Sequence, residues 1–216
     1  MLNAQVDAHK TTANGKYSQL ANEAQIAHAA QAIESHGIQT FIVENSEEAV
    51  KKLLEILPEG AEIFLGSSVT LSELGLNEIV DKSGRYNSVR VRLASMDRRT
   101  QNREMVKIGA VPEYIIGSVQ AVTEDGSIVI ASNTGSQLAP YAASAAHVIW
   151  VVGTQKIVRT LAEGFERVDQ YALPLEDARL MKSSGVHSSV NKILVVNREV
   201  IPGRSTMIFV KENLGF

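Results

Sequence analysis

The chain has 216 residues, of which 44% are hydrophobic, enough for a sizeable core and too many for a disordered polymer. Lys and Arg total 21 against 24 Asp and Glu, a net charge of −3. Like charges form no block, and the densest basic spot, Arg98, Arg99 and Arg103, makes no stripe of the kind nucleic acids need.

The absence of cysteine excludes a disulfide, a thiol nucleophile and any thiolate ligand for an iron–sulfur cluster or zinc. Residues 1–16 are polar and lack the apolar centre of a signal peptide. They read as a flexible arm ahead of one α/β domain spanning 17–216. The longest strongly apolar run, Ala145 to Gly153, is far too short to cross a bilayer, so a cytoplasmic protein without a membrane partner is expected.

A helix with Ile26, Ala29, Ala30 and Ile33 on one face is predicted to end near His36-Gly37, followed by a strand from Ile38 to Val43. Asn45 and Glu48 offer a capping box to a helix striped by Val50, Leu53, Leu54 and Leu57, which Pro58 and Gly60 terminate. Ile63-Phe64-Leu65 is a short buried strand running into Gly66-Ser67-Ser68. A polar helix over Arg99 to Gly109 precedes strands at Tyr114 to Ile116 and Ser127 to Ala131, the second introduced by the turn pair Asp125-Gly126. After a small-residue helix from Ala139 to Ala146, Val148 to Val152 has the continuous apolar character of a central parallel strand. A helix carrying Ile157, Leu161, Phe165 and Val168 follows. Near the end, Ile193 to Asn197 and Met207 to Val210 read as strands joined at Pro202-Gly203-Arg204, an antiparallel hairpin appended to the sheet. The alternation predicts a three-layer α/β/α fold around a mainly parallel sheet.

Ligands of open α/β sheets sit beyond the carboxyl ends of the strands. Gly66, Ser67, Ser68 and Thr70 form one candidate cradle, where small residues and a helix start suit an anion; Thr70 with Glu73 also fits an ordinary capping box. Asn133, Thr134, Gly135 and Ser136, with Gln137, repeat that composition after a later strand. Lys156, His187 and Arg204 supply donors after late strands, and for Lys156 and Arg204 plain surface solubility weighs about equally. Gly117-Ser118 through Ser127 is a further candidate segment. Within it Glu124 lies in a loop between two strands, where a carboxylate can serve as base, nucleophile or hydrogen-bond acceptor, although Glu-Asp-Gly is more often only a turn. His9, His28, His36, His147 and His187 form no metal-ligand spacing, and no Walker loop, G-x-G-x-x-G or H-E-x-x-H is present. No metal and no cofactor is expected.

Three stretches carry a resemblance to a known family. Residues from Leu65 through Gly66, Ser67, Ser68, Val69 and Thr70 to Leu76 resemble the GGSVTLEEIGL signature of LUD-domain proteins, the C-type lactate-utilisation proteins. Ala121 to Val129, centred on Thr123-Glu124-Asp125-Gly126, resembles their A-[IV]-[TA]-E-x-G-x-[LIV]-V segment, and Ile149 to Val158 is similar to the strand and loop that follow. The resemblance runs from about residue 17 to 160. It implies the fold of ribose phosphate isomerases, CoA transferases and formyltetrahydrofolate cyclo-ligase, the NagB/RpiA/CoA-transferase-like class. It further implies anion-cradling loops at Gly66–Thr70 and Thr134–Gln137, with Glu124 at the family's carboxylate position. LUD proteins take part in oxidising lactate to pyruvate beside iron–sulfur partner subunits, so a cysteine-free chain is a cluster-free subunit or a stand-alone relative. Gln120 stands where the isomerases show an Asp, and a neutral amide cannot act as a base, which argues against sugar-phosphate isomerisation.

The leading expectation is therefore a protein of organic-acid metabolism that binds a small anionic metabolite, as enzyme or accessory subunit of lactate oxidation. A CoA-transferase-like enzyme using Glu124 and a scaffold without activity are the alternatives. A homodimer through the N-terminal helix or the C-terminal edge stays open.

Overall fold

The computed structural model describes residues 13–216, so the predicted arm falls outside the described residues up to position 12. The rest of the arm is packed: Asn14 caps a short 3-10 turn (Gly15–Ser18), and its N–H donates to the Gln170 carbonyl at 2.8 Å.

Helix α1 (Glu23–Ser35) begins with a reciprocal cap. The Asn22 side chain accepts from the Gln25 N–H, and the Gln25 side chain accepts from the Asn22 N–H. Its buried face is the predicted Ile26, Ala29, Ala30 and Ile33. Strand β1 (Gln39–Val43) leads to α2 (Ser46–Ile56), capped by Asn45 as predicted. The Glu48 carboxylate, however, reaches back to the Glu44 N–H and not to that of Asn45. Then come β2 (Glu62–Leu65), α3 (Val69–Glu73), a π-helical turn (Asn77–Lys82), β3 (Asn87–Ser88), α4 (Val89–Ala94) and the polar α5 (Arg98–Ala110). The second half runs β4 (Tyr114–Gly117), β5 (Ala121–Thr123), β6 (Ile128–Ser132), a π-helical turn (Pro140–Ser144), β7 (His147–Gly153), β8 (Ile157–Val158), α6 (Leu161–Arg167), a second π-helical stretch (Val168–Ala172), α7 (Leu173–Ser184), β9 (Lys192–Val196) and β10 (Ser205–Val210).

Six strands form one wholly parallel sheet in the order β1-β10-β7-β4-β2-β3. Side chains alternate across it with the strand period of two. Ile63, Leu65, Ile116, Ile149, Val151 and Ile208 pack under Leu53 and Leu57 of the α2 segment and under Leu71, Leu74 and Val80. Ile115, Val148, Trp150, Val152, Met207 and Phe209 face the other way, onto Ile26, Ala29 and Ile33 of α1 and onto Val122, Ile128 and Ile130. Those last three belong to a second, four-stranded sheet ordered β8-β5-β6-β9, whose outer side buries Ala121, Val129 and Val158 against Val168 and Tyr171. The mainly parallel sheet with helices on both faces is the predicted three-layer architecture.

Two local expectations are corrected. The C-terminal strands do not form a hairpin. β9 pairs antiparallel with β6 at the edge of the small sheet, whereas β10 inserts between β1 and β7 of the large one. Every residue of β10 is buried, as a strand covered on both faces requires, whereas Lys192 and Ile193 of β9 are exposed. The Pro202-Gly203 turn is real, with Gly203 at φ +74°, but it redirects the chain between sheets. Ile157, assigned above to a helix, sits in β8 beside Val122, and α6 starts only at Leu161, capped by Thr160.

Candidate ligand-binding cavity

The parallel sheet places the carboxyl ends of β2, β4 and β7 side by side, and the chain leaves them at Gly66, Ser118 and Thr154. A cavity of about 830 Å³ opens above these ends. Gly66, Ser67, Ser68 and Ser72 line it on one side, Ser132, Asn133, Thr134, Ser136 and Gln137 on another, and Ser188 and Ser189 on a third, with Lys156 beneath. The two loops singled out in the sequence thus face one space, and both contribute chiefly hydroxyls.

Each loop is held locally. The Ser132 hydroxyl accepts from the Gly135 N–H at 2.9 Å and meets the Gln137 side-chain oxygen at 3.0 Å, which fixes the turn that displays Asn133 and Thr134. Gly135 itself, at φ +87°, packs against the Lys192 side chain and does not line the cavity. Ser68 is the N-cap of α3 but makes no side-chain cap bond. The capping box considered for Thr70 and Glu73 does not form. The Thr70 hydroxyl instead donates to the Leu214 carbonyl at 3.1 Å, and the Glu73 carboxylate accepts from the Gly215 N–H at 2.7 Å. Helix α3 is also only five residues long, too short for much of a dipole at its start.

Lys156 is the principal finding of the site. Read from sequence as equally a surface residue, it is 1% exposed. Its Nζ donates to the Thr70 Oγ1 at 3.0 Å and lies 3.1 Å from the Ser118 Oγ. Among the described residues no carboxylate oxygen lies within 4.0 Å of it. Burial, reinforced by the neighbouring Arg167 guanidinium and only partly offset by Glu73, holds the amine well below the usual lysine range. Arg167 is a second fully buried cation without an acid partner among the described residues. It donates to the carbonyls of Gln120 and Tyr17, stacks 5.0 Å from the Tyr171 ring centre, and leaves its Nε unpaired. Burial pulls its pKa down to about 10, so it stays charged at neutral pH.

The remaining candidates divide. His187 lies on the cavity rim, largely exposed, with Nδ1 3.0 Å from the Asp177 carboxylate. Arg204 does not reach the cavity. It is buried among backbone carbonyls, donating to Ala145, Tyr141 and Pro140, and pairs with Glu199 at 2.6 Å. Proposed as a ligand contact, it is a structural anchor for the π-helical turn. Glu124 also stands outside the cavity lining. It sits in the turn joining β5 to β6, at the end of that pair away from Gln120 and Ser132. Its carboxylate accepts from the Gln25 side chain at 3.0 Å and lies 3.9 Å from His28.

Sequence reasoning missed Arg167, Tyr141 and Arg179, and it selected the segment beginning at Gly117-Ser118 without giving Ser118 a role. Ser118 follows the strand Tyr114–Gly117 directly, the position the strand-end rule selects; Arg167 and Tyr141 carry no local signal, since only packing buries them. Arg179 lines the cavity while forming a bidentate pair with Glu176, both contacts 2.7 Å. Tyr141 is buried against Gly117, where an added Cβ would overlap its hydroxyl and lie 2.8 Å from its Cζ. Gly117→Ala is therefore expected to displace Tyr141 and cost about 1–3 kcal/mol of stability, read as a lower urea midpoint at unchanged slope.

Among the described residues no group of three His, Asp or Glu side chains is placed to hold a metal ion, and no helix is long and apolar enough to cross a membrane.

Comparison with solved structures gives a likeness to a DUF162 family protein from Deinococcus radiodurans, at a TM-score of 0.53 and 13% identity, covering 89% of this chain and 99% of that one. At that identity the likeness concerns the fold. Curated proteins give no match. The profile of the LUD domain matches residues 26–208, which takes in both cradle loops, Lys156 and nearly all of both sheets. This chain belongs to the LUD-domain family, at that level a protein of the lactate-utilisation type.

Proposed function

We propose that this protein binds a small anionic metabolite of organic-acid metabolism in the cavity above Lys156, as enzyme or accessory subunit of lactate oxidation. The observation that carries the reading is the buried Lys156 amine beneath a rim of hydroxyls, with the buried Arg167 guanidinium as its neighbour and, among the described residues, no carboxylate in ion-pair distance of either. Burying positive charge costs several kcal/mol per ion unless a counter-charge is supplied, and a bound carboxylate or phosphate supplies it. The rim hydroxyls can donate to its oxygens. With no cysteine in the sequence, any cluster-borne electron transfer in this reading belongs to iron–sulfur partner subunits. The acyl-transfer alternative draws no support from the geometry, because Glu124 lies outside the cavity and its carboxylate is engaged by Gln25.

A thermal-shift series with lactate, pyruvate and inorganic phosphate tests the reading. A ligand at 100 times its Kd is expected to stabilise the fold by about 2.7 kcal/mol. The shift should shrink in Ser68→Ala, which removes a cavity hydroxyl that caps nothing. No shift from any anion would overturn the reading.

Binding is also expected to take up a proton. The free amine is held low by burial, and an anion over Nζ favours its charged form, so the bound lysine titrates higher than the free one. Between those two values the complex holds more protons than the free protein, up to roughly one. Affinity therefore falls as pH rises through that window. Calorimetry in two buffers of different ionisation enthalpy reads the uptake directly.

A further inference from the structure

We infer that the Lys156 amine is a nucleophile that forms an imine with a small anionic carbonyl compound, a 2-oxo acid or a phosphorylated ketone, held under the hydroxyl rim. The inference rests on the binding reading above and names the substrate class for the same site. Its basis is the way Nζ is placed. A lysine meant only to hold an anion is best left charged, and arginine serves that purpose better. Lys156 is instead buried beside the Arg167 guanidinium and, among the described residues, has no carboxylate within 4.0 Å, the setting in which an amine is kept unprotonated and reactive.

The two hydroxyls at Nζ are not equivalent. Thr70 Oγ1 already gives its proton to the Leu214 carbonyl, so toward Nζ it acts only as an acceptor. It orients one N–H and cannot occupy the lone pair. Ser118 Oγ, 3.1 Å away, lines the cavity, and among the described residues its proton is not committed to another acceptor. That hydroxyl can pass a proton to an oxygen leaving the carbon bonded to Nζ. In the step, the amine lone pair forms the C–N bond as the carbonyl π bond breaks onto oxygen, which takes a proton to give a carbinolamine. Return of the nitrogen electrons then expels that oxygen as water and leaves a protonated C=N bond. The neutral amine, the carbonyl and one proton taken up from solvent are thus converted to an iminium and water, so the ligand's own anion faces one positive charge once the imine has formed. No oxidant or reductant is required.

The test is reductive trapping of the whole chain. The protein is incubated with sodium cyanoborohydride and either pyruvate or dihydroxyacetone phosphate, with lactate as the control lacking a carbonyl, and modified peptides are mapped by mass spectrometry. The expected result is a carbonyl- and reductant-dependent adduct at Lys156, at higher occupancy than at any exposed lysine, and its loss in Lys156→Arg and Lys156→Met variants shown to be folded by their cooperative unfolding. The arm that labels distinguishes carboxylate from phosphate as the anionic group. A pyruvate-dependent thermal shift without a Lys156 adduct overturns the imine and leaves anion binding standing. Absence of both shift and adduct overturns both, and labelling no greater than at exposed lysines also overturns the imine.

Discussion

Replacing Lys156 by Met is expected to stabilise the ligand-free protein while abolishing its response to anions. Met has nearly the same volume and no ionisable amine to desolvate, so the substitution removes the cost that burial imposes on the lysine and leaves no void. Little else is lost. Thr70 keeps its hydrogen bond to the Leu214 carbonyl, and Ser118 faces the cavity, where water can replace the amine. The gain should be on the order of 2 kcal/mol, or roughly 4–8 °C in Tm for a chain of this size. Differential scanning calorimetry with and without pyruvate or phosphate checks both halves. The opposite result, a less stable apo variant, would mean that the amine is already satisfied in the free protein, and the functional reading would lose its main support. The trade of stability for a reactive or binding group is the expected signature of a functional site, since a buried amine with no carboxylate partner among the described residues has no benefit to the fold itself.

Arg204→Met is expected to do the reverse, a large loss of stability with ligand affinity per folded molecule unchanged. The guanidinium satisfies the carbonyls of Pro140, Tyr141 and Ala145 around the π-helical turn and neutralises Glu199, whose side chain is 9% exposed. Removing it strands a buried carboxylate and several buried acceptors at once, which costs about 3–5 kcal/mol. The pH dependence has a definite sign. Burial pushes the Glu199 carboxyl up, but hydrogen bonds from the Ile201 N–H, Arg204 and Ser205 outweigh it and leave the group below its usual value. A carboxyl with a lowered folded pKa contributes stability above its unfolded value, about 4.5, and loses that contribution as pH falls through the folded one. In the variant the same carboxyl is left without its cation and rises. The difference between wild type and variant should therefore be largest near neutral pH and narrow in acid, and urea midpoints at pH 7 and pH 4 measure it. Had Arg204 been a ligand contact at the surface, the substitution would have cost little stability and much affinity.

These two residues mark the boundary between what the sequence determines and what the tertiary structure decides. Local pattern suffices for the elements. The apolar face of α1, the Asn45 cap of α2, the polar α5 and the unbroken apolar run of β7 follow from spacing and composition, because each depends on residues within one or two turns of one another. The strand-end rule also suffices to find both cradle loops, since a parallel sheet brings the carboxyl ends of its strands to one side whatever their order. Strand order is another matter. β9 and β10 both look like partners for a hairpin, and the turn between them has the right chemistry. Yet β10 gains more by burial on both faces between β1 and β7, a choice made by residues far away in the chain. The same holds for charge. Nothing near Lys156, Arg167 or Arg204 in sequence says that they are buried, because burial depends on the hydroxyls, carbonyls and rings that distant segments bring to them. Glu124 shows the converse: its motif is legible, but which end of the β5–β6 pair its turn occupies relative to the cavity is set only when the small sheet docks on the large one.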